Sequence, residues 1–307
     1  MFSGKSSRRS IWSVFLIICA SLASFFPLQT VFAENCFNKR FEWDYQEDRW
    51  TWSLSIPQSL YNTYKRVSVS ERNRYGVAGY SFLVTTQDYY LTKVANKLHE
   101  AANEKGYGPY DEVSFILAFV QSLPYVSDSV STKCGDYPRF PIETLVDDGG
   151  DCEDTSILLA TLVLIVGYDA VFISPSNHVA VGVWGKNLYG THYEYHGKRY
   201  CYCETTGENW KIGDMPSEYL NISARLSSID SHKQYVPSPS VPHMPGQENE
   251  PQVFPRSQWR VIIILTVVAL SIAIVGIYTI FKLTRVHKVE EIVLKPAFSL
   301  AVLFAPP

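Results

Sequence analysis

A helix that cannot face water is the strongest demand this chain makes on its fold. Residues 155–166 are nearly all apolar, so a helix there has to be packed on every side. Asp147-Asp148-Gly149-Gly150-Asp151-Cys152-Glu153-Asp154 leads directly into it, and Gly167 closes it. The two glycines predict a turn and Asp151 an N-cap, while Glu153 and Asp154 suit the positive end of the helix. After Gly167 the pattern changes to strands at 170–174, 178–184 and 199–206. A helix followed by antiparallel strands predicts an α+β fold in which a sheet packs on one buried helix.

The same run places a thiol at a helix end. The dipole there favours the thiolate of Cys152, but the carboxylates of Asp151, Glu153 and Asp154 push the other way. A neighbouring imidazole is therefore wanted, and His178, opening the next strong strand, is the candidate. Alternation puts Ala180 and Gly182 on its face, which leaves room beside the ring. Glu204 lies on the following strand with Tyr200 and Tyr202, placed to accept the other ring N–H and fix the tautomer. The competing account makes Cys152 an inert buried thiol and His178 a satisfied structural residue.

Upstream, residues 40–46 and 49–56 alternate aromatic and polar positions around Glu47-Asp48, which predicts a β-hairpin. Its stripe of Phe41, Trp43, Tyr45, Trp50 and Trp52 is expected to pack on the core, the alternative being a carbohydrate or peptide platform. Helical spacing predicts helices at 86–105, stopped by Gly106, and 113–123, closed by Pro124. Residues 132–145, with Gly135, Pro138 and Pro141, are expected as a loop.

Gly149-Gly150-Asp151-Cys152-Glu153-Asp154 before an apolar helix resembles the nucleophile motif of the transglutaminase-like superfamily. Gly167-Tyr168-Asp169-Ala170, then Asn177-His178-Val179-Ala180-Val181-Gly182-Val183, then Glu204-Thr205-Thr206 follow in that family's Cys–His–Asp order. Phe119-Val120-Gln121-Ser122-Leu123-Pro124-Tyr125 and Tyr137-Pro138-Arg139-Phe140-Pro141-Ile142-Glu143-Thr144-Leu145 resemble its archaeal, membrane-anchored branch. The resemblance covers about residues 112–214 and implies a papain-like or transglutaminase-like core. It implies Cys152 as nucleophile, His178 as general base and acid, and Glu204 as orienting carboxylate where the family usually has Asp. The Cys152 backbone N–H would help form an oxyanion hole, with Gln121 and Tyr137 as candidates for its second donor. The implied chemistry is acyl transfer from an amide or peptide bond through a thioester. Water as acceptor gives hydrolysis, the expected outcome; an amine gives crosslinking. A non-catalytic surface binding or assembly module is the reading from another class. No cofactor and no metal is expected.

Composition matters mainly for where its apolar part lies. Of 307 residues 46% are hydrophobic, and much of that share sits in two blocks near 11–33 and 261–281. Lys5, Arg8 and Arg9 precede the first, and Val31-Phe32-Ala33 ends it, so residues 1–33 are expected as a signal peptide. An uncleaved anchor is the alternative. The second block is uncharged and long enough for a bilayer core of about 30 Å, so residues 259–281 are expected as one C-terminal transmembrane helix. Lys282, Arg285 and Lys288 after it predict a cytoplasmic tail at 282–307. Six prolines between 235 and 258 predict an extended stalk. The exported part divides into an N-terminal β/α elaboration at 34–110 and the core at 111–234. The expected setting is a cell membrane with the site outside the cytoplasm, acting on a peptide or protein. A net charge of −3 argues against nucleic acid as partner. Oligomeric state is left open, and Asn221-Ile222-Ser223 is an N-glycosylation sequon.

Six cysteines complete the reading. Cys19 belongs to the signal and Cys152 is reserved as a thiol, so Cys36, Cys134, Cys201 and Cys203 remain for two bridges or as buried thiols. If Glu204 faces the site, Cys201 and Cys203 point to the opposite side of their strand. A zinc site from Cys201, Cys203 and His192 or His196 lacks paired spacing.

Overall fold

The computed structural model describes residues 35–131, 136–220, 222–237 and 252–255. The hairpin forms as the alternation predicts, from β1 (Cys36–Tyr45) and β2 (Asp48–Pro57), turning at Gln46 with φ +53°. Phe41, Trp43, Tyr45, Trp50 and Trp52 are all buried, so the stripe is core and not a platform. Trp43 meets Phe115 and Phe119 at ring-centroid distances of 5.7 and 5.2 Å, and Trp50 meets Phe115 at 4.7 Å. Burying side chains this large stabilises by roughly 1.5–3 kcal/mol each, before packing terms.

Six helices matter for the site's frame. They are α1 (Gln58–Lys65), α2 (Tyr89–Glu104), α3 (Pro109–Gln121), the single turn α4 (Asp128–Ser131), α5 (Pro141–Val146) and α6 (Cys152–Ile165). Helix α2 starts three residues later than its periodicity suggests, because Asp88 caps it by accepting from Tyr90 and Leu91 N–H at 2.8 and 3.1 Å. The expected loop at 132–145 contains α5. Pro141 occupies the first helical position, where its missing N–H costs nothing, so a residue read as a breaker is a starter.

Helix α6 is the buried helix demanded by the sequence. It packs on α2, α3 and α5 on one side and on β3 (Asp169–Ser174) and β4 (Ala180–Trp184) on the other. Every residue from Asp154 to Val163 is buried. The sheet is completed by β5 (His192–Tyr195), β6 (Lys198–Cys203) and β7 (Arg225–Ser228). It is antiparallel in the order β5-β6-β4-β3-β7. Its helix-facing side carries Phe172, Val181, Val183, Cys201 and Cys203, and its outer side Val171, Ile173, Ala180, Tyr200 and Tyr202. The alternation inferred for β6 therefore holds. The bridges do not: Cys201 and Cys203 are buried free thiols on the core side. Cys134 and Asn221 lie outside the described residues.

At the chain ends the expectations fare differently. Tyr235, assigned to the stalk, packs against Tyr64, Phe82 and Phe140, and its N–H donates to the Phe82 carbonyl at 2.9 Å. A further strand, β8 (Gln252–Pro255), pairs antiparallel with β2 from Asp48↔Pro255 to Thr51↔Gln252, giving a second sheet in the order β1-β2-β8. The expected transmembrane helix is corrected: among the described residues no helix is long and apolar enough to cross a membrane. Residues 259–281 themselves, like the signal at 1–33 and the tail at 282–307, lie outside the described residues. The fold is α+β with two antiparallel sheets and helices.

Candidate active site

The glycines of the nucleophile-like motif are required by close approach. Gly149 has φ +143°, and a Cβ there would stand 2.3 Å from the Pro124 carbonyl oxygen. A Cβ on Gly150 would stand 2.3 Å from an Asp154 carboxylate oxygen. The chain at 124–126 runs beside this loop, with Val126 N–H donating to the Gly150 carbonyl at 2.9 Å. The loop is thus fixed before the helix starts, and Cys152 takes the first helical position.

The Cys152 thiol is half-buried and donates to Glu153 Oε2 at 3.2 Å. Burial raises its pKa, the Glu153 charge raises it further, and the Val179 N–H pulls the other way. The sequence called for an imidazole at this sulfur. The described side-chain partner is instead the neighbouring carboxylate, although the Val179 N–H brings the residue after His178 to the thiol.

His178 lies just ahead of β4, not within it. Its N–H donates to the Pro175 carbonyl at 3.1 Å, and Asn177 takes φ +52°, so a tight turn aims the ring. Nε2 meets Glu204 Oε2 at 2.9 Å and Oε1 at 3.2 Å. The Tyr219 ring lies parallel to the imidazole, 4.8 Å away at 2°.

Glu204 follows the end of β6 and is buried. Besides His178 it accepts from the Tyr202 hydroxyl at 2.9 Å, the Thr206 N–H at 3.0 Å and the Thr206 hydroxyl at 2.6 Å. Burial pushes its pKa up, but His178 and then Thr206 more than offset this, so the carboxyl sits below its ordinary value. The Glu204 carboxylate is thus met by four donors.

Sequence reasoning missed what holds these parts together. The Ser156 hydroxyl donates to the Val179 carbonyl at 2.9 Å, and Thr205 Oγ1 meets both Thr155 (2.9 Å) and Ser156 (3.1 Å). The first turn of α6 is thus stitched to the residue after His178 and the residue after Glu204. Hydroxyls in an otherwise apolar helix were the available signal. Gln121 and Tyr137, the candidate oxyanion donors, are engaged elsewhere. Gln121 Nε2 donates to the Glu204 and Trp210 carbonyls at 2.7 and 3.0 Å, and the Tyr137 hydroxyl donates to Glu143 at 2.8 Å.

On the other flank of Cys152 the charge is negative. Asp128, Asp151 and Glu153 bring carboxylate oxygens within 4.8 Å of one another. Arg139 pairs with Asp128 at 2.9 Å and with Asp154. Cys201, Cys203, His192 and His196 form no ligand group among the described residues. No family model matches this chain, and no curated protein matches it either.

Proposed function

We propose that the chain is a cysteine-dependent acyl-transfer enzyme that cleaves an amide or peptide bond through an acyl-thioester. Cys152 is its nucleophile, His178 its general base and acid, and Glu204 its orienting carboxylate. The observation that carries this reading is the bond from His178 Nε2 to a carboxylate held by three other donors, at the helix end that begins with Cys152. The order of the three residues also resembles the transglutaminase-like superfamily, and the exported setting expected from residues 1–33 suits a peptide or protein substrate.

The reaction starts when the thiol leaves Glu153 and gives its proton to His178 Nδ1 as sulfur bonds to the carbonyl carbon. Glu204 stabilises the imidazolium that forms. The C–N bond then breaks as the Nδ1 proton passes to the leaving nitrogen, and a thioester remains. Water attacks that thioester and gives a proton to Nδ1. The C–S bond breaks, the proton returns to sulfur, and the carboxylic acid leaves.

One observation favours a second reading, a non-catalytic binding module: the thiol is held neutral by burial and by Glu153. Alkylation decides between them. Under the enzyme reading iodoacetamide modifies Cys152 faster than a free thiol at neutral pH, and His178→Ala abolishes the difference. A Cys152 no faster than a free thiol, unaffected by His178→Ala, leaves the binding module standing. A substrate screen of wild type against Cys152→Ala, with and without an added primary amine, then separates hydrolysis from crosslinking.

A further inference from the structure

The hairpin leaves one strand edge open. In the sheet β1-β2-β8, β1 is the outer strand, and no strand pairs with its other side among the described residues. The hairpin closes through the two-residue turn Gln46-Glu47, so Tyr45 and Asp48 form its last bonded pair. Antiparallel pairing then turns the backbone N–H and C=O of Glu42 and Arg40 outward. Such an edge is a template for a further strand, and proteins ordinarily cover or blunt it.

Here the edge runs along a cavity of about 530 Å3. A cavity on one face of a strand meets every second residue, whereas this one is lined by all of residues 42–46, so it lies beside the strand. Across from them stand Asp111, Ser114, Ala118 and Gln121, one face of α3. The third wall is the segment 208–211. The walls are bonded to one another. The Tyr45 hydroxyl and Gln46 Nε2 donate to Asp111 at 2.9 and 3.2 Å, and Gln121 Nε2 donates to the Trp210 carbonyl at 3.0 Å. The same Gln121 amide donates to the Glu204 carbonyl at 2.7 Å, which joins the groove to the residue that holds His178.

Charge and shape narrow the occupant. Glu42, Asp44, Asp111 and Glu208 stand against Arg49 and Lys211, a net of −2. Arg49 is engaged by Glu42 at 2.8 Å, and the described partners of Asp111 are neutral donors. An edge walled by a helix and a loop admits a single extended chain, not the sheet of a second copy. We propose that this groove binds an extended basic peptide segment, which adds as a strand to β1 and sets lysine or arginine side chains toward Asp111 and Glu208. The lining stretch of β1 spans about 17 Å at about 3.4 Å per residue, the length of an ordinary strand.

The test reads binding to the purified full-length chain, so it is independent of whether Cys152 is a nucleophile. The probe is a fluorescein-labelled peptide of alternating lysine and valine, about eight residues long to cover the edge, followed by anisotropy. Saturable one-to-one binding is expected, with the matching glutamate–valine peptide weaker by about tenfold or more. Two further peptides carry N-methyl groups on the lysine amides or on the valine amides. One set should weaken binding about tenfold and the other leave it within about twofold, because only one side of an added strand bonds to β1. Glu42→Lys plus Glu208→Lys turns the wall from −2 to +2 and should reverse the preference between basic and acidic peptides. Both positions are exposed, so the thermal midpoint of this variant should stay near that of wild type. Absence of saturation up to about 1 mM overturns the proposal. So does equal binding of both methylated peptides, which would mean attraction by charge alone. A wild-type dimer in light scattering that the charge-reversed variant dissociates overturns it in favour of a second copy.

Discussion

Two carboxylates within one site illustrate opposite solutions to burial. Glu204 is met by the imidazole, two hydroxyls and a backbone N–H, and its pKa falls below the ordinary range. Asp151 is also buried, but the group it meets is another carboxylate, Glu153, and its pKa is raised, by burial first and then by the Glu153 charge. Burial alone therefore does not set the charge of a group; the donors that accompany it do. The ordered side of Cys152 is the one whose carboxylate meets donors, and the acidic side is the one where carboxylates meet each other.

The largest effect should come from breaking the ordered side. Cys152→Ala is expected to abolish turnover, and Glu204→Gln to lower kcat by roughly 10³–10⁴ by offering the imidazole the wrong partner, both measured by steady-state kinetics on any substrate found in the screen. A Glu204→Gln enzyme with near-normal kcat would remove the carboxylate from the mechanism.

A buried ion pair that does not include the thiol gives the comparison a scale for stability. Arg72 and Glu143 are both fully buried, joined at 2.5 Å, and the guanidinium also serves the Tyr64, Val67 and Pro138 carbonyls. Glu143→Ala leaves that charge unpaired and should cost about 3–5 kcal/mol, read from urea unfolding. A cost under 1 kcal/mol would mean that the carbonyls alone suffice.

The two carboxylates should also tilt the pH dependence of stability in opposite senses. A depressed folded pKa means that the Glu204 contribution is present above the unfolded carboxylate value and is lost as pH falls through the folded one. A raised folded pKa means that the Asp151 contribution is present below the unfolded value and is lost as pH rises toward the folded one. In EDTA, Glu204→Gln should flatten the acid limb of the stability curve and Asp151→Asn the limb above it. Identical curves for both variants would dissolve the contrast.

Smaller effects are expected at the stitching and at the stack. Thr205→Val leaves the hydroxyls of Thr155 and Ser156 short of a partner and should cost about 1–3 kcal/mol, again by urea unfolding. Tyr219→Ala should remove about 0.5–1.5 kcal/mol of ring contact from the imidazole, visible as a fewfold fall in kcat that Tyr219→Phe restores.

How much of this was readable in advance follows from where the signal is stored. The hairpin and α6 were legible because Phe41, Trp43 and Tyr45, and then Trp50, Trp52 and Leu54, fall on every second residue, and because residues 155–166 are nearly all apolar. Cys152, His178 and Glu204 were legible as residue types in order, and the structure brings His178 and Glu204 into contact. Strands β5 and β7, each of four residues at sheet edges, are too short and too exposed to show alternation. The bond of Thr155 to Thr205 joins positions fifty residues apart, and nothing periodic announces it. The thiol's choice of Glu153 over the imidazole depends on rotamers, which a sequence does not carry.

The hydroxyl seam between α6 and the two loops has a consequence for how such a site can change. Ser156, Thr155 and Thr205 tie the helix to the segments carrying His178 and Glu204, so the positions of Cys152, His178 and Glu204 are coupled to one another. Under the enzyme reading, variation in what is accepted therefore falls on the residues near the thiol but outside that seam, Tyr219 and exposed Tyr125, both of which feel the Cys152 charge. A library aimed at new specificity belongs on those residues, with the seam left alone.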